Sequence, residues 1–196
     1  MVIGMTPPSI QPLADACADF TSQWEGRIPW MYLDGPGNVT AGCGHKLDTP
    51  EEASTVFGCD VAAEFNAVKV SEPGHAAEWY ETLTDSRLTD EQIKAILASD
   101  LQWFIGHSAR MIGTWNTRPQ PAQIACVDIA FNTGGLGGWP SLCKAVSAGD
   151  WATAARQSHR IETPAPGGVQ PARNAATAAL FAGLQGAVIQ RGQQPR

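Results

Sequence analysis

Residues 24–45, WEGRIPWMYLDGPGNVTAGCGH, constrain the fold of this chain more than any other stretch. Two β-prone runs, Trp30-Met31-Tyr32-Leu33 and Val39-Thr40-Ala41, flank Asp34-Gly35-Pro36-Gly37-Asn38, in which every residue is a turn former. The combination predicts a tight antiparallel hairpin. Gly42-Cys43-Gly44 follows and admits backbone conformations closed to other residues, so a sheet of two or three short strands is expected here. Upstream, Pro12 suits the first turn of a helix whose apolar face is Leu13, Ala16, Cys17, Phe20 and Trp24, with Gly26 and Pro29 ending it. Glu25 is thereby expected in the last helical turn beside Trp24, where partial desolvation raises a carboxyl pKa.

Helical signals dominate the rest. Thr49-Pro50-Glu51-Glu52 and Thr89-Asp90-Glu91-Gln92 are capping boxes. Short helices are expected over 60–70 and 75–83, around Pro73-Gly74. The second box opens the longest periodic stretch, with Ile93, Ile96, Leu97, Leu101, Phe104, Ser108 and Met111 on one side. An apolar helix over 121–132 (Ile124, Ala125, Val127, Asp128, Ile129, Phe131) stops at Asn132-Thr133-Gly134-Gly135. Helices follow over 140–147 and 150–159, the latter with Asp150 as N-cap, then a Pro/Gly loop over 162–170 and a last helix over 171–184. The seven Trp are expected mainly in the core. An irregular arm over 1–11 and a flexible polar tail over 185–196 flank a single domain over 12–184. The fold class is α+β, mostly α, with one small sheet near the N-terminus and two lobes joined by the long helix that begins at Thr89.

Charge narrows the function classes. Residues 1–100 hold 5 Lys/Arg against 16 Asp/Glu, and residues 101–196 hold 8 against 3, within a net charge of −6. An acidic chain without a basic stripe is not a nucleic-acid binder. No run reaches the roughly 18 apolar residues that span a bilayer, so no membrane partner is expected. MVIGMTPPSIQP has neither a basic n-region nor an apolar h-region, which predicts synthesis in the cytoplasm without a secretory signal. Five irregularly spaced Cys do not make a disulfide framework, although a bridge between Cys43 and Cys59 stays open. The spacing of Cys43, His45, Cys59 and His75 matches no standard zinc pattern, and no cofactor is expected.

The chemistry sits at Glu25, Asp34 and Thr40, separated by nine and six residues. A carboxyl group at a helix end and a second in an adjoining hairpin suit glycosidic bond cleavage: one protonates the leaving oxygen while the other handles water or the sugar cation. Helix-Glu25-Gly26, Tyr32-x-Asp34 and Thr40-x-Gly42-x-Gly44-His45 strongly resemble the phage-type lysozymes, the muramidase family. The resemblance continues through Phe131-Asn132-Thr133-Gly134, Leu142-x-x-Ala145-Val146, Ala148-Gly149-Asp150-Trp151-x-x-Ala154-Ala155, and Arg173 with Leu180-Phe181. It covers about residues 13–184 and implies a two-lobed lysozyme-like fold.

The resemblance implies that Glu25 is the general acid, that Asp34 acts on water or the developing positive charge, and that Thr40 positions the water. It implies an inverting hydrolase of the β-1,4 bond between N-acetylmuramic acid and N-acetylglucosamine in peptidoglycan. Asn132 is implied to shape the cleft or touch substrate, Arg173 to pair with or orient Glu25, and His45 to hold the hairpin region by a hydrogen bond. Tyr32 and Trp30 are the aromatic candidates for substrate contact. Phage endolysins are often basic, and this chain lacks their paired-Arg ending; Arg173-Asn174-x-x-Thr177 is more similar to lysozyme domains of antibacterial effectors, including those exported by type VI secretion. Action in the periplasm or cell wall of a target bacterium, as a monomer, after holin release or effector delivery, is the expectation; an effector would also have an immunity-protein or secretion-apparatus partner. Two other readings stand beside hydrolysis: an inactive glycan- or partner-binding domain, and a lytic transglycosylase using Glu25 alone.

Overall fold

The computed structural model describes residues 11–161 and 171–192, with side chains over 12–161 and 171–185. The arm expected over 1–11 lies outside these residues except for Gln11, the first residue of α1 (Gln11–Thr21). Contacts divide the chain into two compact units, residues 25–100 and the remainder, with the second division between Asp100 and Leu101.

In the 25–100 unit, β1 (Ile28–Leu33), β2 (Val39–Gly42) and β3 (His45–Lys46) form an antiparallel sheet in that order. Tyr32 lies opposite Thr40, Leu33 opposite Val39, Thr40 opposite Lys46 and Ala41 opposite His45. The two-residue side-chain period therefore sorts the strands into two faces. Met31, Leu33, Val39 and Ala41 are buried, as are Ala53, Phe57, Phe65, Val68 and Leu97, whereas Tyr32 is half-buried on the face of Thr40; a register irregularity between Ile28 and Tyr32 interrupts the alternation before it, and Trp30 there is half-buried. The β2–β3 turn explains the glycine spacing: Gly42 and Gly44 have φ of +65° and +86°, a region that side chains with a Cβ disfavour. α2 (Pro50–Phe57), α3 (Ala62–Lys69), α4 (Ala77–Tyr80) and a 3₁₀ turn (Glu81–Leu83) follow, and α3 and α4 pack on β1.

α5 (Asp90–Met111) begins with the expected capping box: Thr89 Oγ1 accepts from Gln92 N at 3.2 Å while Gln92 Oε1 accepts from Thr89 N at 2.8 Å. Its buried stripe is Ile93, Leu97, Leu101, Ile105, Ser108 and Ile112. The expected stripe keeps Ser108 but leaves this line at Phe104 and Met111, because the buried line steps by i+4 from Leu101 to Ile105 and from Ser108 to Ile112, just past the helix end; Ile96 is half-buried. Met111 is 40% exposed for the same reason.

The other unit is helical: α1, the rest of α5, α6 (Gln120–Thr133), α7 (Pro140–Ala148), α8 (Trp151–Gln157) and α9 (Pro171–Gly192). α6 is buried on every side over Ala125–Ala130, which makes it the hub on which α1 and α9 pack. The buried face of α1 is Ala14, Cys17, Ala18 and Thr21; of the expected face Cys17 is buried, while Leu13, Ala16, Phe20 and Trp24 are half-buried, and the small residues are the ones turned inward where α1 packs on α6. α9 continues eight residues past its expected end, over 185–192; the remainder of the expected tail and the 162–170 loop lie outside the described residues. Among the described residues no helix is long and apolar enough to cross a membrane.

Candidate active site

The hairpin turn fixes Asp34. Its backbone N–H donates to Asn38 O at 3.0 Å and its carbonyl accepts from Gly37 N at 2.9 Å, closing the turn. Its carboxylate in turn accepts from Asn38 N at 2.7 Å and from Asn38 Nδ2 at 3.0 and 3.3 Å. Asn38 passes from the sequence as a turn residue only; here it clamps the carboxylate's orientation. Thr40 is 3% exposed and donates from Oγ1 to Asn38 O at 3.1 Å. Directly opposed residues of an antiparallel pair share a face, so Thr40 lies beside Tyr32, and Asp34 is next in the same alternation. Tyr32, Asp34 and Thr40 are therefore brought together.

Glu25 leaves α1 earlier than expected. The helix ends at Thr21, bonds from Gln23 N to Phe20 O and from Trp24 N to Thr21 O tighten the next residues, and Glu25 occupies a bend leading into β1. It is half-buried rather than set on a helical stripe. Its charge nevertheless reaches the hairpin. The Tyr32 phenol is pushed up first by burial and then by the charges of Asp34, Cys43 and Glu25. The Cys43 thiol is pushed up to about 11 by burial and then by Glu25. Glu25 is thus among the charges that act on Tyr32 and Cys43.

His45 lies on the opposite face, where Nδ1 meets the Asp100 carboxylate of α5 at 3.0 and 3.1 Å. That hydrogen bond holds the imidazole pKa above its ordinary value, with burial opposing it. His45 accordingly ties the sheet to α5. Trp30 is half-buried and occupied: Nε1 donates to Ala77 O at 2.8 Å and the Arg87 guanidinium sits 5.3 Å above the ring. Trp30 anchors α4. The exposed indole of this unit is Trp79, 42% exposed, and Trp103 in the other unit is 56% exposed, so neither is the core residue expected. Cys43 and Cys59 are both free, Cys43 buried and Cys59 exposed with Sγ 3.9 Å from Ser86 Oγ. Among the described residues no three His, Cys, Asp or Glu gather as metal ligands.

Asn132 and Arg173 belong to the other unit. Asn132 is half-buried in the last turn of α6, whose left-handed cap is Gly134 rather than Asn132. Arg173 is 3% exposed and grips Asp128 with Nη2 to Oδ1 at 2.8 Å and Nε to Oδ2 at 3.3 Å. Arg160 donates from Nη1 to the same carboxylate at 2.8 Å and from Nη2 to Thr177 Oγ1 at 2.7 Å. Asn174 brackets the Arg160 backbone, accepting from its N–H at 3.1 Å and donating to its carbonyl at 2.8 Å. Thr21 Oγ1 donates to Asp128 Oδ1 at 3.2 Å, bringing in the end of α1. This fully buried cluster escaped sequence reasoning. Its one signal was a carboxylate on an otherwise apolar helix, which has to be paired where it is buried. The two arginines absent as a sequence pair converge in space, where Arg173, Asn174 and Thr177 all bond within the cluster.

A family model described as phage lysozyme matches residues 22–172. A crystal structure of a P22 lysozyme point mutant shares 19% sequence identity, with a TM-score of 0.58 over 85% of this chain and 95% of that one. At that identity the likeness is one of fold. No curated protein matches.

Proposed function

The chain belongs to the phage lysozyme family, and we propose that it is a peptidoglycan muramidase hydrolysing the β-1,4 bond between N-acetylmuramic acid and N-acetylglucosamine. Glu25 donates a proton to the glycosidic oxygen as general acid. Asp34 activates a water or faces the oxocarbenium-like charge, with inversion the expected outcome. The Thr40 hydroxyl proton is given to Asn38 O, and its lone pairs are available to accept from that water. The observation that carries the reading is the shared strand face: Tyr32, a clamped Asp34 and Thr40 lie together, with the charge of Glu25 felt at Tyr32 and Cys43.

Glu25→Gln tests it. Lysis of permeabilised cells or digestion of sacculi should fall on the order of a hundredfold or more; undiminished activity would sink the proposal. Mass spectrometry of the products separates the alternatives. Hydrolysis yields reducing muropeptides and transglycosylation yields anhydro products. Sacculus binding without release would mark an inactive binding domain. Action in the periplasm or wall of a target bacterium follows from the substrate. The effector reading rests on the motif that packs around Asp128, and co-purification of a cleft-blocking protein from the native host is its test.

A further inference from the structure

His107 lies on the part of α5 that belongs to the helical unit, half-buried, and three residues engage its ring. Nε2 accepts from Leu136 N at 3.0 Å. An imidazole nitrogen that accepts carries no proton, so this bond selects the neutral ring with its hydrogen on Nδ1. The ring lies against Gly135, whose φ is +131° and where a Cβ would come within 2.9 Å of Nε2. Only glycine leaves that approach open. Trp103 stacks on the imidazole with centroids 5.2 Å apart and planes 16° from parallel. The segment so held is Gly134-Gly135-Leu136-Gly137-Gly138-Trp139, the connection from α6 to α7, in which four of six residues are glycine. Such a backbone has little stiffness of its own. Besides the His107 bond, it is fastened by the buried Leu136 side chain, by Gly135 N donating to Ala130 O at 2.7 Å, and by Trp139, whose N donates to Leu136 O at 2.9 Å and whose Nε1 donates to Thr133 Oγ1 at 3.2 Å.

Protonation reverses the bond. Nε2 is the nitrogen that gains the proton, which turns the acceptor into a donor and sets N–H against N–H at Leu136. A backbone N–H left without its acceptor is destabilising. Along the segment no counter-charge is on hand, since residues 129–142 carry no ionisable side chain. On the flanking elements, Asp128 of α6 is taken up by Arg160 and Arg173, and Asp100 of α5 is engaged by His45. Arg110 of α5 and Lys144 of α7 are cations, and burial keeps the Cys126 and Cys143 thiols protonated. The Trp103 face acts differently, because an aromatic face attracts a cation at this range. The ring therefore has two arrangements, neutral on Leu136 N or cationic on Trp103. We propose that His107 is an acid-released latch on the α6–α7 connection, closed while the imidazole is neutral and open once it is protonated. Histidine is the side chain that ordinarily changes charge between about pH 5 and 8. Gly138 and Trp139 line an open cavity of about 350 Å³ together with Ser141, Arg156 and Gln157, so the latch also sets one wall of that cavity. No candidate catalytic residue takes part, and the latch stands apart from the muramidase reading.

Proton–nitrogen correlation NMR of the full chain between about pH 8 and 5 tests it. The Leu136 amide and the Trp139 indole N–H should shift along one titration curve with the His107 ring. Across that curve the protection of the Leu136 amide against hydrogen exchange should fall about fivefold to tenfold, the scale of one hydrogen bond. His107→Gln offers an acceptor oxygen that does not titrate, so Leu136 should stay protected and both resonances should stay in place over the whole range. His107→Phe keeps an aromatic ring on Trp103 without an acceptor, and should show the lower Leu136 protection at every pH. A Leu136 amide that does not follow the His107 ring in the native protein would overturn the latch. So would a His107→Gln protein in which the Leu136 and Trp139 resonances still move together. None of these readouts uses activity, so failure of the latch and failure of the muramidase reading are told apart.

Discussion

A carboxylate with no solvent contact has to be matched by charge and hydrogen bonds, and at Asp128 two guanidiniums do this. The arrangement is asymmetric. Removing Arg160 leaves Asp128 gripped by Arg173, whereas removing Asp128 takes the shared carboxylate from both arginines and from Thr21. Asp128→Ala should therefore cost about 3–5 kcal/mol in urea unfolding, and Arg160→Met distinctly less; equal losses would contradict the account. Thiols offer a second residue-level test. Burial pushes Cys17 up to about 12 and raises Cys126 further, with Cys43 also raised, while Cys59 alone is exposed. The native protein should show one fast-reacting thiol towards a disulfide reagent, and Cys59→Ser should abolish it. At this scale the sequence carried Glu25, Asp34 and Thr40 through their spacing. It did not carry Asn38, because the same residue type serves a turn whether or not its amide also clamps a carboxylate.

Between elements, the His45–Asp100 pair joins the sheet to α5, and its sign can be worked out. The folded-state pKa of His45 is raised above 6.5, chiefly by the Asp100 hydrogen bond, so folding favours the protonated ring. Its stabilisation is full below the unfolded value near 6.5 and is lost as pH rises through the higher folded value. Unfolding free energy should decline over that window, and Asp100→Asn should flatten the decline and return the His45 NMR titration towards 6.5. A protein whose stability rose there would show the opposite linkage. Element boundaries were legible where side chains write them, as in the reciprocal Thr89–Gln92 box. They were not legible at the end of α1. There Thr21 is held by a residue 107 positions away, and the chain turns before the apolar pattern runs out.

For the whole molecule, the net charge of −6 sets the encounter with a substrate that itself bears carboxylates on its stem peptides. Digestion of sacculi should accelerate as salt rises from about 10 mM to 150 mM, which shortens the screening length from about 30 Å to about 8 Å. Binding of the uncharged N-acetylglucosamine hexamer should stay constant. Slowing of sacculus digestion over that range would mean that the basic residues beyond Leu101 steer the encounter instead. The sequence by itself determined the mostly helical fold with its small sheet, the hairpin and the identity of the catalytic candidates. These follow from local turn chemistry, capping and spacing, which act within a few residues. Only the tertiary structure decided that Trp79 is exposed, that Trp30 is an anchor, that Arg173 and Arg160 meet on Asp128, and that Asn38 holds Asp34. Burial and pairing depend on which surfaces of distant segments come together, and a linear pattern cannot encode that choice one residue at a time.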